Sequence, residues 1–112
     1  MSDRPLAERK CRACEGGVEP LPASAARTLL EEVRGWELID GRAIRKTVKC
    51  NDFLAAVGLI DRIAPIAEAE DHHPDLHLTR YKFLTIELST HAIHGLSEND
   101  FILAAKIDAV CP

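Results

Sequence analysis

At 112 residues, 46% hydrophobic and 29% charged, the chain can build one domain around one core and is too short for two. A net charge of −4 without a dense basic run argues against nucleic acid as the main partner. Met1-Ser2-Asp3-Arg4-Pro5 lacks the apolar segment of a signal peptide, and no apolar run approaches the roughly 20 residues of a membrane span, so a soluble, cytoplasmic protein is expected.

Residues 1–20 are polar and hold Gly16-Gly17 and Cys11-Arg12-Ala13-Cys14. They read as an extended arm, on the surface or on a neighbouring subunit, ahead of a single domain over 21–112. A C-x-x-C is half of a zinc site or a redox pair, and no second one is present. Cys50 and Cys111 complete the four cysteines, expected as thiols in a cytosolic chain.

The spacing of Ala26, Leu29, Leu30 and Val33 predicts a helix over 22–34, opened by Pro22 and stopped by Gly35. Trp36 to Ile39 and Arg42 to Val48 flank Asp40-Gly41, a strong hairpin signal. Ile44 and Val48 then share one face, Arg45 and Thr47 the other. Asn51-Asp52 offers an N-cap to a second helix reaching about Glu70, with an inward stripe of Phe53, Ala56, Val57, Ile60, Ile63, Ala64 and Ala67. Pro65 inside it predicts a kink or a restart. Pro74 closes the helix, since the residue before proline avoids helical geometry. From Leu76 to Thr90 the chain reads as strand, with Leu84, Ile86 and Leu88 inward. Tyr81 and Phe83 fall on the other parity, which predicts a bulge or a break into two strands. Ser97-Glu98-Asn99-Asp100 is a capping box for a last helix to about Val110, with Phe101, Ala104 and Ile107 inward. This order predicts an α+β two-layer sandwich.

The chemistry concentrates in Glu68-Ala69-Glu70-Asp71-His72-His73-Pro74-Asp75, and all five histidines lie within 23 residues. Imidazole changes charge near neutral pH, so such a cluster points to proton transfer or to a metal. Glu68 lies four residues before His72, on the same face of a helix, and is expected to hold its ring N–H. His91 ends a strand whose start follows the same loop, so a hairpin return would bring it beside His72 and His73. Asp100 is a second orienting acid. His77 and His94 read as surface residues. A three-histidine zinc site stays open on these residues alone.

Glu68-x-x-x-His72-His73-Pro74, followed by Tyr81, His91 and Asp100 with six, nine and eight residues between them, resembles the pterin-4a-carbinolamine dehydratase signature. The likeness extends to Cys11-x-x-Cys14-x-Gly16-Gly17, Gly35-Trp36, Ser89-Thr90-His91, Gly95-Leu96-Ser97 and Leu103 to Asp108, as in bacterial members. It implies a four-stranded antiparallel sheet with about three helices on one face, assembled as a homodimer or homotetramer. It implies a hydro-lyase that dehydrates 4a-hydroxytetrahydropterin, the product of aromatic amino acid hydroxylases, to quinonoid dihydropterin, without metal or organic cofactor. Carried over by position, His72, His73 and His91 are the catalytic histidines. Glu68, Asp100, Pro74 and Thr90 bind or orient. Asn99 stands where some animal members carry arginine. A non-catalytic assembly protein of the same fold, or a factor in molybdopterin metabolism, is the alternative from another class.

Overall fold

The computed structural model describes residues 5–12 and 19–112. Its helices are α1 (Ala23–Leu30), α2 (Phe53–Glu70) and α3 (Glu98–Asp108), and its strands β1 (Glu37–Ile39), β2 (Ala43–Lys49), β3 (Asp75–Thr79) and β4 (Phe83–Leu88). The strands form one antiparallel sheet in the order β1-β2-β4-β3. Alternation decides its two faces. Ile44, Val48, Leu84, Ile86 and Leu88 are buried beneath the helices with Leu59, Ile63, Phe101, Leu103 and Ile107. The opposite face is polar, with the Arg45–Glu87 ion pair and a Thr47–Thr85 hydrogen bond across β2 and β4. This is the α+β architecture anticipated above.

The first hairpin turns on Asp40 and Gly41, both at positive φ, closed by Arg42 N–H to the Ile39 carbonyl. The second turns on Arg80 and Tyr81, also both left-handed (φ 48° and 55°). Two such residues without a glycine break the anticipated strand and shift its parity. Helix α1 ends at Leu30, earlier than expected. Helix α2 runs unbroken through Pro65, so no restart occurs. Its buried face is Ala56, Leu59, Ile63 and Ala67, rotated from the anticipated stripe. Phe53 is 54% exposed, and Ala64 also faces out.

Asp108 is the polar centre of the core. Its Oδ1 accepts from Trp36 Nε1 (2.9 Å) and Lys46 Nζ (2.7 Å), and its Oδ2 from Arg34 N–H (2.9 Å). One carboxylate thus ties the approach to β1, β2 and the end of α3 together. The segment 5–12 does not project from the body. A single turn, Leu6–Glu8, packs against α3, Leu6 is buried, and Lys106 Nζ donates to the Ala7 carbonyl. Helix α3 is consequently buried nearly all round. Cys14, Gly16 and Gly17 lie outside the described residues. Among those described, no helix is long and apolar enough to cross a membrane.

Candidate active site

Helix α2 ends in a Schellman motif with an aspartate where glycine is usual. Asp71 is left-handed (φ 49°), its N–H bonds the Glu68 carbonyl, and the His72 N–H bonds the Ala67 carbonyl. The reversal throws His72 off the helix axis. A Glu68–His72 pair, anticipated from helical spacing, therefore does not form. Glu68 Oε2 lies 3.2 Å from His73 Nε2, and both side chains are largely exposed.

His72 Nε2 instead lies 2.6 Å from Asp100 Oδ1. Asp100 is fully buried. Its Oδ2 accepts from Thr90 Oγ1 (2.8 Å) and from the Ser97 N–H (3.0 Å), the latter closing the capping box of α3. Thr90 Oγ1 also meets Ser97 Oγ at 2.8 Å. An ionised carboxylate only accepts, so Nε2 carries the donated proton and Nδ1 is left for other work.

Sheet register brings the third imidazole. β3 begins immediately after His73-Pro74, and Asp75 pairs with Glu87 near the end of β4. The chain leaving β4 therefore passes the end of α2. A bridge between Thr90 and Gly95 pinches off a single turn, His91–Ile93. Gly95 is confined there, since a Cβ would sit 2.8 Å from Pro20 Cβ. His72, His73 and His91 all line one cavity of about 460 Å³, with Ser89 and Thr90 in its wall. Small-molecule sites run to roughly 300–1,000 Å³. Pro74 directly precedes β3 and does not line the cavity, and Glu68 stands outside the lining as well. His77 and His94 are exposed and also absent from it. Among the described residues, no three His, Cys, Asp or Glu side chains gather as a metal site.

Sequence reasoning gave no role at this site to several lining residues, among them Cys11, Arg12, Glu70 and Asn99, which the fold pairs with one another. Their pairing spans 59 to 88 residues of chain, so no local pattern announces it. Burial, with Glu70 beside it, pushes the Cys11 thiol up to about 12. It therefore stays a neutral thiol, a poor nucleophile and a small wall residue.

The sequence profile described as Pterin 4 alpha carbinolamine dehydratase matches residues 19–110. A Halorhodospira halophila protein with a provisional pterin-4-alpha-carbinolamine dehydratase name is 43% identical over 106 residues, covering 94% of this chain and 96% of its own. A Nitrosomonas eutropha protein with the same provisional name is 45% identical over 104 residues, 92% of this chain and 90% of its own. The Arabidopsis thaliana mitochondrial pterin-4-alpha-carbinolamine dehydratase 2 is 41% identical over 92% of this chain and 57% of its own. Among solved structures, a Brucella melitensis transcriptional coactivator/pterin dehydratase superposes with a TM-score of 0.77 at 34% identity, covering 84% of this chain and all of that one.

Proposed function

The chain belongs to the pterin carbinolamine dehydratase family, a family of hydro-lyases, and from that premise we propose that His72, His73 and His91 catalyse loss of water from 4a-hydroxytetrahydropterin. The observation carrying this reading is the convergence of three imidazoles, from two distant segments, on one cavity.

Dehydration breaks the C4a–hydroxyl bond, removes the N5 proton and forms the C4a=N5 double bond of quinonoid dihydropterin. One group must protonate the departing hydroxyl and another must take the N5 proton. Paired general acid and base groups contribute roughly 10²–10⁴-fold each. With Nε2–H given to Asp100, His72 takes the N5 proton at Nδ1, and the imidazolium so formed rests against a buried carboxylate. His91 delivers the proton that leaves as water. His73, steadied by Glu68, binds and polarises the ring. Thr90 holds the second oxygen of Asp100 and so fixes its direction. In this reading the protein acts in the cytoplasm as a homodimer or homotetramer, recycling the tetrahydropterin spent by an aromatic amino acid hydroxylase.

Stopped-flow absorbance on synthetic 4a-hydroxytetrahydropterin tests it. Catalysed dehydration, lost in His72→Ala and His91→Ala variants that still fold, is the expected result. Variants that each keep the full rate would overturn the assignment.

A further inference from the structure

Resting on the dehydratase reading, we propose that Arg12 is a substrate-binding, specificity-determining residue of this pocket, and that Asn99 positions it. The residue precedes the histidines by some sixty positions of chain and yet lines their cavity. It is brought there by a two-point clamp. Asn99 Oδ1 accepts the Arg12 N–H at 2.9 Å, and Asn99 Nδ2 donates to the Arg12 carbonyl. Next to it, the Cys11 N–H donates to Glu70 Oε1 at 2.8 Å. Asn99 is 6% exposed, and Glu70 is also largely covered.

Anchoring the arm to the body does not require this. Buried Leu6, the Lys106–Ala7 bond and the Arg9–Glu98 pair already do so. The clamp adds something anchoring cannot, a fixed position and orientation of the main chain at residue 12. Its two side chains come from the elements that set the imidazoles: Glu70 ends α2 two residues before His72, and Asn99 adjoins Asp100. The arm is therefore in register with the histidines rather than merely near them.

Arg12 itself is exposed, and among the described residues its hydrogen bonds run through the main chain. Its guanidinium is the one permanently charged cation among the described lining residues. A planar fork of N–H donors fits a flat ring edge bearing a carbonyl oxygen and a ring nitrogen, as the pyrimidinone half of a pterin does. Asp100 only accepts, and its oxygens are already taken by His72, Thr90 and Ser97, so it does not compete for that edge and leaves it to the Arg12 donors.

The test uses the full chain and the variants Arg12→Ala, Arg12→Lys, Asn99→Ala and the Arg12→Ala/Asn99→Ala double. Stopped-flow dehydration gives kcat and KM, and fluorescence quenching gives the Kd for 7,8-dihydrobiopterin. Arg12→Ala is expected to raise KM and Kd roughly 10- to 100-fold, the range of a hydrogen bond to a charged group, with kcat within about threefold. Arg12→Lys recovers part of this, because an ammonium cannot span two acceptors. Asn99→Ala raises KM less, and the double variant matches Arg12→Ala alone. An unchanged KM and Kd in Arg12→Ala, whose exposed side chain can be cut without risk to folding, refutes the proposal. So do Asn99→Ala and Arg12→Ala effects that add in full. If the wild type dehydrates the substrate and Arg12→Ala matches it, this inference alone fails. If the wild type neither dehydrates nor binds the pterin, the dehydratase reading fails with it.

Discussion

Replacing Asp100 by asparagine is the most informative single change. The carboxylate is fully buried and receives three bonds, from His72 Nε2, Thr90 Oγ1 and the Ser97 N–H. A carboxylate accepts all three, but an amide cannot. The Ser97 N–H is a fixed donor, so the amide oxygen must face it and Thr90. The NH₂ group then faces His72 at the former 2.6 Å position. His72 can satisfy it only by accepting at Nε2, which moves the imidazole proton to Nδ1. The atom assigned to take the N5 proton is then already protonated. The lost charge-assisted bond costs about 1.5–3 kcal/mol, a large share but not the whole of a stability of roughly 5–15 kcal/mol. Asp100→Asn should therefore fold, with a lowered urea midpoint by circular dichroism. Its kcat should fall by roughly 10²–10⁴-fold, the worth of a general base, with KM little changed. A folded Asp100→Asn protein within about threefold of wild-type kcat would show that the His72 tautomer is not set here, and the base assignment would be wrong.

Alanine at His72 or at His91 should each lower kcat by roughly 10²–10⁴-fold, whereas His73→Ala should act mainly on KM; steady-state kinetics separates the two patterns. Asp108→Ala strands the Trp36 N–H and the Lys46 ammonium, so a loss of about 3–5 kcal/mol is expected in urea unfolding. Arg80→Asn with Tyr81→Gly suits the left-handed turn, which costs an ordinary residue roughly 1–2 kcal/mol, and should raise Tm by several degrees in calorimetry. Cys11 titrates from 9.0 in the free thiol to about 12 in the fold, because burial and then Glu70 oppose its thiolate. Between those values the folded state keeps a proton the unfolded chain has released, so stability must fall as pH rises. The urea midpoint should drop from pH 8 to pH 10, and less so in Cys11→Ser; an equal drop in both would remove Cys11 as a cause.

What could be read from the residues, and what could not, divides by range of interaction. Asp40-Gly41 names its turn because glycine tolerates positive φ, whereas Arg80-Tyr81 makes the same turn with residues that conceal it. The Ser97–Asp100 capping box is local and legible. The pairing of Glu68 with His72 failed for a local reason too. Helical spacing does not extend across Asp71, whose left-handed backbone ends the helix and redirects the next side chain. His91 could be placed because a hairpin's return is nearly forced by two strands and a short turn. Arg12 could not, since its partner Asn99 lies 87 residues away and neither residue type signals the contact.

Asp100 explains why the fold and the site cannot be varied independently. Its Oδ2 closes the capping box of α3 and holds Thr90, and its Oδ1 holds His72. Thr90 in turn fixes one end of the bridged turn that carries His91. One buried carboxylate therefore sets the start of a helix, the exit of a strand and the direction of an imidazole. Small shifts at α3 should reach both His72 and His91 at once. Substitutions beneath α3 that keep the protein folded should then depress kcat before they depress stability, because proton transfer tolerates less displacement than packing does.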